Sequence, residues 1–408
     1  MKNTHILFIV LLLFTFSGCK DTEDTQVNPD INDSIPVEVQ FSVDQHNILK
    51  NDVPFQVRGV VYVPGYPGYM PWDTEVNTDL PLKLKNSITF DLYNIKEMGA
   101  NTVRFWGAPQ YCYEVVKSME DFYFLQTIWI QVDAPDFQDE GFKIGTKIYI
   151  RQVIDRIYDV FPNNDPPIVA FLVGNELSEA SINATDAAHP EINHYAGNYI
   201  VTDSTLTATE AFLAEMADYV KTYEFDNYGN TSLVSYSNDI RTAYILDVPF
   251  LDFRSHNAYS YAVPYYLPNT PLGSTTGTIF QGWIEELKAM YPEKPLLITE
   301  TGLSVSPNAT HEGPPNYGYG GNTEAEQAEG ILQNLNDIDL APQPLAGVCI
   351  HEYLDAWWKF SLEDSYSQDP DDIEEWFGIV KLIEDGDWYT TTNRPIYDEL
   401  KNIWSLQR

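Results

Sequence analysis

Positive charge is scarce in this sequence. Lys and Arg number 23 against 60 Asp and Glu, a formal net charge of −37 over 408 residues. A phosphate backbone needs a basic face, so no nucleic-acid partner is expected. An electrostatic grip on anionic lipid or an anionic polymer is disfavoured for the same reason. Cysteine is nearly absent, at 3 residues, which argues against a disulfide scaffold and a Cys-ligated metal site. The 7 histidines form no cluster with acids at matching spacing, so neither a metal nor another cofactor is expected. Long apolar runs are missing too. The longest is Ile6–Phe16, too short to span a bilayer.

That run has the length of a signal-peptide core. It leads into Phe16-Ser17-Gly18-Cys19, which resembles the lipobox of bacterial lipoproteins, where the Cys thiol carries the lipid. Lys20-Asp21-Thr22-Glu23-Asp24 resembles the acidic tether that follows such an anchor. The resemblance implies a leader over 1–18, a lipid anchor on Cys19 and a disordered tether over 19–36. It also implies a place on the bacterial outer membrane or cell surface, with that anchor as the one membrane contact. An ordinary cleaved leader with an incidental Cys is the alternative. Cys112 and Cys349 are left as two buried free thiols or one disulfide.

What the chain has in quantity is aromatic side chains: 9 Trp, 27 Tyr and 20 Phe, 14% of residues. With few basic groups beside them, they point to a neutral partner offering flat apolar faces: a sugar, an apolar ligand or a protein. Hydrophobic content of 44% is enough for a large core.

From Val37 the pattern becomes structured. Val37–Phe41 alternates, and Asn51-Asp52 supplies a turn before Pro54–Val57, so a hairpin is expected. Eight apolar runs follow: Val57–Val63, Thr102–Trp106, Thr127–Val132, Ile168–Val173, Leu233–Ser237, Phe253–Asn257, Leu296–Thr299 and Gly347–His351. Helical stretches separate most of them: Asp91–Met98, Gly145–Val160, Thr209–Tyr223, Ile279–Met290 and Glu324–Asp337. Thr323 with Glu326 makes a capping box before the last. A final helix opens near Arg394-Pro395 and ends near Trp404. Continuous apolar runs suit strands buried on both faces. Eight such units predict an α/β fold: a single (β/α)8 barrel over 37–408, preceded by a short β-hairpin. A doubly wound sheet competes, but no Gly-rich phosphate loop follows any run.

In such a barrel the chemistry sits at the C-terminal strand ends. The fourth run ends in Gly174-Asn175-Glu176 and the seventh in Thr299-Glu300-Thr301-Gly302. Cleaving a glycosidic bond needs that pairing, one acid for the leaving oxygen and one carboxylate opposite. A Glu after a buried strand is more often a solvated loop residue. Two of them on opposed strands reverse that balance.

These residues carry a resemblance. Gly99-Ala100-Asn101-Thr102-Val103-Arg104-Phe105-Trp106 looks like the second-strand motif of clan A glycoside hydrolases. Gly174-Asn175-Glu176 resembles their fourth-strand motif, Ile298–Gly302 their seventh, and Leu354-Asp355-Ala356-Trp357-Trp358-Lys359 the end of the eighth. The likeness covers roughly residues 55–404. It implies a retaining hydrolase with Glu176 as acid/base and Glu300 as nucleophile. Asn175 would bind the 2-hydroxyl of the reacting sugar, and Arg104 would hold Glu300 ionised. Glu176 needs a raised pKa. The sixth-strand end, His256-Asn257-Ala258-Tyr259, supplies Asn257 and Tyr259 as substrate-binding candidates, and either Tyr259 or His256 orients the nucleophile. Trp357 is the favoured sugar platform, with Trp106 second.

The loop Tyr62–Trp72 reads as one cleft wall and Asn308–Asn322 as a lid. Segment 361–387 holds ten acids and one Lys; a solvated face is favoured over a calcium loop. The expected function is hydrolysis of a neutral β-glycan, with β-glucan first and β-mannan or β-galactan behind, by a monomer. A β-glucan transglycosylase using the same residues, a non-catalytic glycan-binding lipoprotein and a metal-dependent barrel enzyme are the rivals.

Overall fold

The structure is a computed structural model describing residues 39–163, 165–262, 278–311, 313–314, 317–340, 345–359 and 366–406. The expected leader, Cys19 and the tether lie outside the described residues.

A small antiparallel sheet comes first, made of β1 (Phe41–Val43), β2 (Ile48–Lys50) and β3 (Val53–Pro54). Asn51 and Asp52 join β2 to β3 with φ of 49° and 63°. Positive φ at both central residues is what a tight two-residue hairpin needs, and Asn and Asp tolerate it. Phe41 and Phe55 meet Tyr123 edge to face at 5.3 and 5.2 Å. Tyr123 opens a barrel strand, so the sheet packs under the barrel's N-terminal end.

Eight parallel strands then close on themselves: β4 (Val57–Tyr62), β5 (Thr102–Phe105), β6 (Tyr123–Ile128), β7 (Ile168–Asn175), β8 (Leu233–Asn238), β9 (Arg254–Asn257), β10 (Leu296–Thr301) and β11 (Gly347–Ile350). Side chains alternate across this wall as the two-residue period dictates. Val57, Val61, Leu125, Leu172, Leu297 and Cys349 fill the interior. Val60, Val103, Phe124, Phe171, Val234, Ile298 and Ile350 face the outer helices.

The helices in chain order are α1 (Pro71–Glu75), α2 (Leu82–Glu97), α3 (Gln110–Lys117), α4 (Glu140–Tyr158), α5 (Glu179–Ala188), α6 (Ala208–Tyr228), α7 (Ile279–Met290), α8 (Glu324–Asp339) and α9 (Pro395–Ser405). In α2 the buried Leu84, Ile88, Leu92 and Ile95 form one stripe at helical spacing. The expected capping box of Thr323 and Glu326 starts α8. A second, Thr207 with Glu210, starts α6, which ends at Gly229 with φ of 79°. A hairpin of β12 (Val380–Asp385) and β13 (Trp388–Asn393) lies between β11 and α9.

The barrel and its leading sheet are as the sequence predicts. One strand differs in place: the run expected over Thr127–Val132 forms instead at Tyr123–Ile128. The apolar residues continue past the strand end, so the run alone misplaces it. Helices α1, α3 and α5 and the β12–β13 hairpin were not expected. Cys112 and Cys349 are buried free thiols, one on α3 and one inside the barrel. Burial pushes both thiol pKa values up. Among the described residues, no helix is long and apolar enough to cross a membrane.

Candidate active site

Two carboxyls stand at the C-terminal mouth, each aimed by a break in its strand. In β7 the register against β8 shifts between Leu172 and Asn175. Gly174 then takes φ of 94° and Glu176 takes φ of 48°. A non-glycine residue in that left-handed region is uncommon and strained, and such strain gathers at functional positions. In β10 the register against β9 shifts between Ile298 and Glu300. Such irregularities turn a side chain off the regular alternation. Gly302 follows because nothing larger fits: a Cβ there would lie 1.8 Å from the His351 carbonyl oxygen.

Glu300 accepts three hydrogen bonds and gives none. Its Oε1 receives Arg104 Nη1 at 2.8 Å and Trp106 Nε1 at 3.2 Å. Its Oε2 receives the Tyr259 hydroxyl at 2.7 Å. Three donors, one of them a cation, are suited to a carboxylate. Burial and the Glu300 charge push the Tyr259 phenol well above its ordinary pKa, so it stays a donor. Arg104 is fully buried and also donates to Thr299 O at 2.9 Å and Asn175 Oδ1 at 2.8 Å. Removing one partner of such a pair leaves a buried charge unmatched, which costs about 3–5 kcal/mol.

Glu176 is held differently. Asn257 Nδ2 donates to its Oε1 at 2.8 Å, and Arg241 Nη2 to its Oε2 at 2.7 Å. Asn257 also donates to Asn175 Oδ1 at 3.1 Å, while its own Oδ1 accepts from Thr299 Oγ1 at 2.9 Å. The opposite amide orientation would set a carbonyl against the Asn175 carbonyl oxygen and give up the bond to Thr299. Burial, then the charges of Asp239 and Glu300, raise the Glu176 pKa to about 8. Both influences favour its protonated form over the pull of Arg241 and Asn257. The mouth therefore joins the two carboxyls through one shared network of Arg104, Asn175 and Asn257.

The sequence left Tyr259 and His256 as alternatives beside Glu300, and it is the Tyr259 hydroxyl that reaches it. His256 lies buried against Tyr291, at 6.5 Å between ring centres. Burial and then the nearby Arg254 push its pKa down to about 3.

The end of the eighth strand differs from the expectation. β11 stops at Ile350, so the residues beyond it are His351-Glu352, not Leu354–Lys359. Leu354 bridges to Val380 instead. Trp357, the favoured sugar platform, is 8% exposed and meets Tyr389 edge to face at 5.6 Å. It belongs to the core and offers no open face to a sugar. Trp106, half-buried beside Glu300, stacks on His351 at 5.5 Å and rests against Trp129 at 5.4 Å.

Several residues at the mouth were not anticipated. Lys359 is buried and donates to Glu352 Oε1 at 2.7 Å, Glu374 Oε2 at 3.4 Å and His351 Nε2 at 3.3 Å. It lies over the Trp106 ring at 5.2 Å. Burial, then the Lys359 and Arg104 charges, hold His351 neutral. Burial lifts Glu352 to about 7 against the pull of Lys359. The Tyr319 hydroxyl donates to Glu374 Oε1, and Tyr319 packs on Tyr261 at 4.8 Å. The expected lid thus places Tyr319 at the mouth, while residues 312, 315 and 316 lie outside the described residues. Segment 361–387 is not merely a solvated face: Glu374 reaches Lys359, and Glu375 is buried, accepting the Asp369 N–H at 2.6 Å. Residues 361–365 lie outside the described residues. Reading past the fifth and eighth apolar runs would have found Asp239, Arg241 and Glu352. Glu374 has no such signal. No group of three or more His, Cys, Asp or Glu residues suited to a metal occurs among the described residues.

No family model and no curated protein matches the sequence. Solved structures match the fold. A GH2 β-galacturonidase from Eisenbergiella tayi bound to galacturonate aligns with a TM-score of 0.59 at 16% identity, over 90% of this chain and 54% of that one. A Bacteroides uniformis β-glucuronidase aligns at 0.58 and 15%, over 90% and 37%. A Ruminococcus gnavus β-glucuronidase aligns at 0.58 and 14%, over 90% and 53%. The chain thus spans about half, or a little over a third, of the length of the structures it resembles.

Proposed function

We propose that this chain is a retaining β-glycoside hydrolase acting on a neutral β-linked glycan, with β-glucan the first candidate. One observation carries the reading: the mouth sets Glu176, its pKa raised by burial and neighbouring charge, in one network with Glu300, which accepts from Arg104, Trp106 and Tyr259. Glu300 attacks the anomeric carbon as Glu176 gives its proton to the departing glycosidic oxygen. An ester then joins Glu300 to the sugar, and its negative charge is gone. That charge is one of the causes raising Glu176, so Glu176 becomes more acidic and can take a proton from water. The water oxygen displaces Glu300 and restores the starting state. Asn175, set by Arg104 and Asn257, is positioned for the 2-hydroxyl of the reacting sugar. No step calls for a cofactor.

The structural neighbours are named for uronides, yet the charges here favour a neutral sugar. Three cations stand at the mouth, and each is committed to carboxylates of the protein: Arg104 to Glu300, Arg241 to Glu176 and Asp239, Lys359 to Glu352 and Glu374. Five carboxyls surround three cations. Among the described residues at the mouth, a substrate carboxylate would have to displace one of these carboxyls to gain a cationic partner. The surface-lipoprotein reading of residues 1–36 fits an enzyme that meets polymer outside the cell as a monomer.

The test is a screen of β-1,3-glucan, β-1,4-glucan, β-mannan and β-galactan with proton NMR of the first product. The β-anomer is expected, and Glu176→Gln and Glu300→Gln abolish release. An α-anomer, or full activity in both variants, refutes the reading.

A further inference from the structure

The sequence places Trp129 within a strand, where it would be a core residue. In the structure β6 ends at Ile128, so Trp129 is the first residue beyond it, on the same face as Glu176 and Glu300. Its side chain is 41% exposed, although an indole is among the costlier groups to leave in water. Ile128 and Ile130 on either side are buried, so the backbone is fixed while the ring stands out.

That exposed ring is continuous with the site. Trp129 rests on Trp106 at 5.4 Å between ring centres, and the Trp106 indole N–H touches Glu300. His351 also stacks on Trp106. An aromatic floor therefore runs from the carboxylate outward to solvent. It is also braced. The Trp129 backbone hydrogen-bonds the Tyr149 hydroxyl, which donates to Glu75 Oε1 at 3.0 Å. Arg156 fixes the same Glu75 oxygen at 2.8 Å. Helices α1 and α4 thus hold the strand end in place, and a ring ordered before binding costs little to use. Two and four residues on, Gln131 and Asp133 form an exposed polar pair at 3.2 Å, a chemistry suited to sugar hydroxyls.

We infer that Trp129 is the stacking platform for the sugar next to the reacting one, so that the site reads at least two consecutive units of a neutral β-linked chain. The inference rests on the functional reading above and adds a residue and a subsite to it. The exposed Trp129 indole meets the C–H face of a pyranose, while the Trp106 N–H holds Glu300 beside the neighbouring unit.

The experiment measures kcat/KM of the full chain on β-1,3- and β-1,4-gluco-oligosaccharides and β-1,4-manno-oligosaccharides, from disaccharide to hexasaccharide. In the parent, kcat/KM rises from the disaccharide to longer chains. Trp129→Ala removes about 3–10-fold of that rise, and Trp129→Phe retains most of it. Calorimetric titration of the same sugars into the Glu300→Gln chain loses a similar factor when Trp129→Ala is added. Equal rates for parent and variant at every length, or a loss independent of length, overturns the inference while leaving the hydrolase reading intact. A parent that cleaves none of these series and none of the four glycans screened above overturns the hydrolase reading itself.

Discussion

Replacing Arg241 by Met should move the alkaline limit of activity upward. Arg241 donates to Glu176 at 2.7 Å and lowers the proton affinity of that carboxyl against burial, Asp239 and Glu300. Without the cation, ionised Glu176 loses its partner, and Asp239 is left to repel it. Both changes favour the protonated form, so the pKa rises from about 8. Two unit charges about 4 Å apart at an effective dielectric constant of 20 interact by about 4 kcal/mol, which sets the ceiling. The Arg241 side chain is 48% exposed, and exposed pairs deliver about 0.2–1 kcal/mol. At the upper end of that range the shift is about 0.7 pH unit. The assay is the pH profile of kcat/KM on an oligosaccharide, because a sugar leaving group needs the proton. Arg241→Lys retains a charge and should move the limb less. An alkaline limb that stays put or moves down would refute the electrostatic account of Glu176.

Other outcomes follow from the same geometry. Glu176→Gln should lower kcat on an oligosaccharide by about 10²–10⁴-fold, and far less on a nitrophenyl glycoside whose leaving group departs unprotonated; equal losses would contradict its role as acid. Tyr259→Phe removes a hydrogen bond to the Glu300 carboxylate worth about 1.5–3 kcal/mol, so kcat/KM should fall by about 10–100-fold with the melting temperature little changed. Trp357→Ala should cost about 3–5 kcal/mol of stability, measured by urea unfolding, because the ring is core; a stable variant with weakened sugar binding would restore it as a platform. Asp91 is fully buried beneath the Tyr62 and Tyr66 hydroxyls, and burial raises it from 3.8 to about 7. A raised carboxyl favours the folded state while protonated, so its contribution is lost as pH climbs from about 4 through about 7. Asp91→Asn cannot ionise, and its melting temperature should therefore fall less between pH 5 and pH 8 than that of the parent.

The barrel was legible because its strands are buried on both faces, so apolar runs mark them without help from distant contacts. Glu176 and Glu300 were legible because each directly ends such a run. Arg104 and Asn175 were legible only through the resemblance that their motifs carry. Failures came where a run outlasts its strand or a partner returns from far along the chain. Trp129, Ile130 and Val132 carry the apolar pattern past the end of β6, which hid Trp129. Trp357 sits in a motif that looks like a strand end, yet β11 has already stopped at Ile350, and the ring turns toward Tyr389. Lys359 and Glu374 meet only because the chain folds back after β11, and no local spacing announces that contact.

The central claim is that Glu300 becomes covalently bound to the sugar. The direct measurement uses the 2-deoxy-2-fluoro-β-glycosyl fluoride of whichever sugar the screen identifies, followed by peptide mass spectrometry. The account predicts one fluoroglycosyl group on the peptide containing Glu300, absent from the Glu300→Gln chain. A label on Glu176 or on any other residue, or none while the native substrate turns over, would contradict it.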